Sequence, residues 1–185
     1  MIIEHQREKL VEVVRYFACQ VKYLGKVKLF KLLYFLDFEH YRDTGRSVTG
    51  LDYAAWKMGP VPARLFEELK HPEPDWMGKV EFKEVSIKSG HSMFTVSAIG
   101  SSELAHFSKR ELRIMRQLAE KYVDAQAEDM VEATHLENLP WHHVYVEQNK
   151  KQHQIPYELA LRRQEAELML ASVKERDALV QALKG

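Results

Sequence analysis

Cysteine is nearly absent: Cys19 is the single thiol in 185 residues. No intrachain disulfide can form and no multi-cysteine zinc site can be built. One lone thiol fits a reducing compartment. Charge of one sign is missing too, because Lys plus Arg total 27 and Asp plus Glu total 27, a formal net charge of zero. Proteins that grip nucleic acid or anionic membranes usually carry a basic excess, so the balance speaks against both partners. Long apolar runs are lacking as well. The most apolar stretch, Leu29 to Phe38, is broken by Lys31 and Asp37 and falls well short of the roughly 20 residues of a membrane-spanning helix. The opening MIIEHQREKL places Glu4, Arg7, Glu8 and Lys9 where a signal peptide would be apolar. The expectation is a soluble, cytoplasmic protein. Hydrophobic residues at 45% and charged residues at 29% are ordinary for one cored domain spanning 1–185.

What is present is mostly helical. Leu10, Val13, Val14, Phe17 and Val21 recur at i, i+3, i+4, i+7 and predict an amphipathic helix over 4–21, ended by Gly25. A second helix, Lys26 to Arg42, is apolar almost all round and belongs at the centre of the core; Gly45 suits its left-handed C-terminal position. Leu51 to Met58 reads as either an edge strand or a short helix. Gly59-Pro60-Val61-Pro62 must be extended or turned, and Pro62 opens a short helix, Ala63 to Leu69. His71 to Trp76 reads as a loop. Val80–Ile87 and Met93–Ala98 flank a Lys88-Ser89-Gly90-His91 turn, an antiparallel hairpin whose change of parity predicts a bulge near Lys83-Glu84. Ser108-x-x-Glu111 is a capping box opening a helix to about Val123, and a further helix covers about 127–135. Leu139-Pro140-Trp141 reads as a turn. Ile155-Pro156 begins a long C-terminal helix, 156–183. The fold class is mainly α with a minor β part.

Groups that might carry chemistry have plain structural readings beside them. Glu128, Glu132, His135, His142 and His143 form the richest ligand cluster, and Glu132-x-x-His135 is the spacing di-iron bundles use. Those bundles need the motif twice and here it occurs once, so a charged helix face ended by a capping His is the favoured reading. Cys19 reads as a small core or boundary residue. No G-x-S-x-G, P-loop, G-x-G-x-x-G or H-E-x-x-H occurs. Neither a metal nor a cofactor is expected. Lys22, Lys26, Lys28 and Lys31 read as a solvated helix end. An enzyme, either metal-dependent or using a His/Glu pair near His135, and a DNA-binding regulator remain as rivals from other classes.

The C-terminal helix carries more information. Ala166, Met169, Val173, Val180 and Leu183 follow a heptad-like seam, and Leu161, Leu168, Leu170 and Leu179 place apolar surface on other faces. A flank left uncovered should meet a partner chain, with Leu168, Met169, Val173 and Val180 as anchors.

Lys31-Leu-Leu-Tyr-Phe with Asp37, then Thr44-Gly45-Arg46, then Tyr53-Ala-Ala-Trp56-Lys-Met-Gly59-Pro60-Val-Pro62, and downstream Thr134-His135, Pro140-Trp141 and Ile155-Pro156, form an ordered pattern. It resembles the Panacea, SocA-like, phage-associated antitoxin domain over about residues 5–160. The resemblance implies a mainly helical domain and an antitoxin that neutralises a co-encoded protein toxin by direct contact. One member of that family acts instead as an adaptor to an ATP-dependent protease, which is the alternative. A second copy of the chain is the other partner in view. The family brings no catalytic residues. Tyr34, Asp37, Tyr53, Trp56, Gly59, Pro60, His135 and Trp141 carry its pattern and are expected to be scaffold, with Trp56 in an aromatic core and Gly59 allowing close approach or a positive φ.

Overall fold

The computed structural model describes residues 5–86, 92–136, 139–161 and 166–184. Helix α1 (Gln6–Gln20) and helix α2 (Lys26–Thr44) follow the two predicted spans. Because α2 has no polar face, it cannot lie on the surface. Leu29, Leu32, Leu33 and Leu36 are wholly buried, and the other elements wrap around it. Gly45, at φ +65°, ends α2 by donating its N–H to the Tyr41 carbonyl at 2.7 Å, a left-handed cap that glycine adopts without a Cβ penalty.

The Tyr53–Pro62 block forms a tight hairpin, β1 (Ala54–Trp56) and β2 (Gly59–Val61). This settles the strand-or-helix ambiguity in favour of strand. Helix α3 (Ala63–Glu68) follows. The segment read as a loop ends in a 3₁₀ turn, Pro74–Trp76, and Trp76 is among the largest fully buried side chains. Its indole N–H donates to Glu68 at 2.6 Å, and the Arg7 guanidinium lies 5.2 Å above the ring. Arg7 in turn grips Glu68 and Asp75, each with two nitrogens. Composition had hidden a core residue inside a Pro- and Glu-rich stretch.

Strands β3 (Val80–Ser86) and β4 (Ser92–Ala98) pair antiparallel from Val80↔Ala98 to Ser86↔Ser92 without interruption. The expected bulge near Lys83-Glu84 is absent from the described register. Parity changes for another reason: the far end of the hairpin overhangs the body, so Val85 and the opposed Met93 are both exposed on the outer face. The predicted turn at 88–91 lies outside the described residues. Helix α4 (Lys109–Lys121) starts at the capping box, Ser108 Oγ accepting from Glu111 N while the Glu111 carboxylate accepts from Ser108 N at 2.6 Å. Helix α5 (Ala127–His135) comes next. Leu139-Pro140-Trp141 opens a helical turn instead of a plain one, α6 (Pro140–His142), running on into a π turn at His143–Glu147.

The last helix is shorter than its periodicity suggests. Gln152, His153 and Ile155 are taken up as backbone partners of Ala55 and Tyr53, covering the free edge of β1. A 3₁₀ turn at Tyr157–Ala160 leads to an extended Leu161, and helix α7 spans Ala166–Lys184. No helix among the described residues is long and apolar enough to cross a membrane.

Trp76→Ala should therefore cost roughly 3–5 kcal/mol in urea unfolding, as for a large buried aromatic. Trp56→Ala should cost less than half as much, because Trp56 is only half-buried at the hairpin rim.

Candidate functional site: buried polar anchors and the C-terminal helix

Three charged side chains of α2 point into the protein. Lys28 and Lys31 are each 1% exposed and Asp37 is fully buried. The solvated-lysine reading is corrected here: only Lys22 is exposed, paired with Asp124 at 2.7 Å, while Lys26 is half-buried with its ammonium 4.2 Å from the Phe94 ring. A lysine flanked by apolar residues on every side of a helix has no polar face along which to reach water, and that signal was legible. Lys28 Nζ is held by three carbonyls, Lys22 at 2.7 Å, Ala125 at 2.8 Å and Val123 at 3.3 Å. It ties the α1–α2 turn to the α4–α5 connection.

Asp37 accepts four hydrogen bonds, from Val48 N at 2.7 Å, Thr49 N at 2.8 Å, Thr49 Oγ1 at 2.5 Å and Tyr53 Oη at 2.7 Å. Burial pushes its pKa up while these donors pull it back. An unpaired buried carboxylate would be very costly; with both oxygens filled it becomes the clasp between α2 and the segment leading into β1. Tyr53 joins Tyr34, Phe38 and Tyr157 in one edge-to-face and tilted aromatic group.

Lys31 Nζ has one close acceptor, the Pro60 carbonyl at 2.9 Å. Gly59, at φ +98°, lies so near that a Cβ there would stand 2.8 Å from Lys31 Nζ and 2.7 Å from Thr134 Oγ1. The glycine thus supplies both a positive φ and the close approach. His135 stacks on Trp141 at 3.8 Å and 4°, and Trp141 stacks on Tyr145. The Trp141 indole N–H donates to the Trp56 carbonyl at 2.9 Å. Burial, then the charges of Lys31 and His142, hold the His135 pKa down. Among the described residues, the Tyr34 hydroxyl and His135 Nε2 are buried without a hydrogen-bond partner. The pattern residues therefore converge on the two ends of the β1–β2 hairpin: Asp37, Tyr34 and Tyr53 at one, Lys31, Gly59, Pro60, His135 and Trp141 at the other. Trp56 is at the rim, packed edge-on against Phe66.

The histidine-rich cluster does not assemble as a metal centre. His142 and His143 both face Glu147, while Glu128 and Glu132 are exposed on α5. Two other groups bring ligand atoms together among the described residues. In Glu68, Glu73 and Asp75 the charge is already taken by Arg7. In His5, Glu8 and His106 the two imidazoles stack at 4.4 Å and 17°, and His5 Nδ1 is already hydrogen-bonded to the Glu8 carboxylate. Cys19 is exposed.

Helix α7 has no buried residue among those whose exposure is described. Met169, Val173 and Val180 are half-buried and turned towards the end of α2. Val173 and Met169 lie against Gly45, where a Cβ would come within 2.4 Å and 3.3 Å of them, and Arg176 donates to the Gly45 carbonyl at 3.0 Å. Leu168 faces away, 78% exposed. The four expected anchors thus divide, three on the inner seam and one on the outer face. Between α7 and the body runs a groove of about 890 Å³ bordered by His40, Thr44, Arg46, Tyr157, Val173 and Val180.

The family model of the antitoxin SocA-like, Panacea domain matches residues 29–142. That span holds Lys31, Asp37 and both hairpin strands, begins one residue after Lys28, and ends before α7. No curated protein and no solved structure matches the chain.

Burial holds the Lys31 pKa down to about 7, from an ordinary 10.5. Between those values the folded protein keeps this amine neutral while the unfolded chain protonates it. The unfolded state binds more protons, so stability rises with pH. From pH 7 to 9 Lys31 should contribute a slope approaching about 1.4 kcal/mol per pH unit. Lys31→Met should flatten that part of the profile, measured by urea unfolding at each pH.

Proposed function

The chain belongs to the antitoxin SocA-like, Panacea domain family, and we propose that it is an antitoxin that neutralises a co-encoded protein toxin by direct binding, with α7 as its main contact. The observation that carries this reading is the outer face of α7. Leu168, Leu179 and Leu183 are 78%, 60% and 56% exposed. Eleven residues separate the first two and four the last two, which puts all three on one helical stripe. A stripe of exposed leucines on an unburied helix is what a helix-in-groove contact requires. The pattern residues, by contrast, are spent on holding α2, the hairpin and α5 together. Helix α7 lies outside the span the family model matches, so its outer face is not part of the shared pattern.

Leu168→Asp with Leu179→Asp should leave the circular dichroism spectrum and the unfolding midpoint of the free protein unchanged, since neither side chain is buried. Toxin binding, measured by calorimetry, should weaken by about a hundredfold or more, as when anchor residues are lost from an interface centre. Unchanged affinity with the fold intact would remove α7 from the contact. In cells carrying both genes the toxin should persist at an undiminished level; its disappearance when the antitoxin is expressed would replace blocking by delivery to a protease.

A further inference from the structure

We infer that the open edge of β3 pairs antiparallel with β3 of a second copy of this chain, joining two hairpins into one four-stranded sheet. The two small sheets of the fold treat their edges differently. The outer edge of β1 is covered by residues 152–155 of the same chain. On the second sheet, Val96 N donates to the Leu24 carbonyl at 2.9 Å, which turns the backbone groups of Val96 away from β3. In an antiparallel ladder the opposed Phe82 must then point its own N–H and C=O away from β4, and Val80 and Glu84 follow by the two-residue period. Ile99 N bonding to Lys79 O at 2.8 Å agrees with this phase. Val80, Phe82 and Glu84 have no backbone partner among the described residues on that side. Such a row of free donors and acceptors is a template for strand addition.

The charge pattern selects both the occupant and the register. Along the outer face of β3, Glu81 and Lys83 form a same-strand pair at 2.9 Å, exposed at 45% and 61%. A two-fold pairing centred on Phe82 sets Glu81 opposite Lys83 of the second copy, and Lys83 opposite its Glu81. The four charges then form a square in which every neighbour has the opposite sign. Centring the pair on Lys83 instead faces Lys83 with Lys83, and centring it on Glu84 faces Glu84 with Glu84; both are repulsive. Of these three registers, only the first is complementary to itself. It also brings the two half-buried Phe82 rings together on the inner face, next to Trp76 and Phe94. The overlap is short, so the dimer is a weak one that forms as concentration rises.

Sedimentation equilibrium of the full chain over roughly a hundredfold range of concentration reads this directly. The parent protein should shift from monomer to dimer, and added salt should weaken the shift. Glu81→Lys should raise the dissociation constant by about tenfold or more, because it makes two facing Lys pairs. The double variant Glu81→Lys with Lys83→Glu restores the alternating square and should return the constant to within about threefold of the parent. Both positions are exposed, so the monomer fold should hold, with circular dichroism as the check. A parent that stays monomeric overturns the inference. So does a dimer indifferent to Glu81→Lys, or one lost in the leucine variants of α7.

Discussion

A carboxylate sealed from water and filled by four donors governs this fold. Asp37 sits in the middle of the central, most deeply buried helix described, and the charge is tolerable there only because two backbone N–H groups, a threonine hydroxyl and a tyrosine hydroxyl all turn to it. Those donors come from residues 48–53, so the requirement to satisfy one oxygen pair dictates where the chain runs after α2. The β1–β2 hairpin starts from that clasp, and the 152–155 segment is laid on the edge the hairpin offers. A single buried charge thus organises parts of the molecule a hundred residues apart in sequence.

The two lysines extend the same logic along α2. Lys28 gathers the carbonyls of two connections, and Lys31 accepts burial against one carbonyl at the price of a proton near neutrality. Charged groups on an all-round apolar helix act here as posts to which irregular backbone is tied. Irregular backbone needs polar partners when it is buried, and these side chains bring them inside. Gly59 completes the arrangement, since any Cβ would strike Lys31 and Thr134. In this chain Lys31, Asp37, Tyr53, Pro60 and Trp141 of the pattern all take part in internal hydrogen bonds.

Much of this was legible in the sequence, where the signal was local. Helices α1 and α2, the capping box at Ser108, the helix at 127–135 and the left-handed role of Gly45 followed from period, cap chemistry and glycine placement. The failures were tertiary. Trp76 sat in a stretch whose prolines and acids read as loop, because burial there depends on Arg7, distant in sequence, and on Glu68 of the preceding helix. The bulge was inferred from a parity that solvent exposure at an overhanging tip explains. The C-terminal helix was read too early, since residues 152–155 serve the edge of β1, and Tyr157–Ala160 form a 3₁₀ turn followed by an extended Leu161. The buried state of Lys28 and Lys31 could have been read from their neighbours; their acceptors could not.

The account divides the chain into a scaffold built around Asp37 and a contact surface on α7, and toxin binding by Asp37→Asn tests that division most directly. The amide cannot accept from all four donors, so urea unfolding should show a loss of about 3 kcal/mol or more. Titration with toxin, scaled to the folded fraction, should return the parent affinity within about twofold. A variant that keeps its stability yet loses its toxin would place Asp37 in the contact and contradict the account.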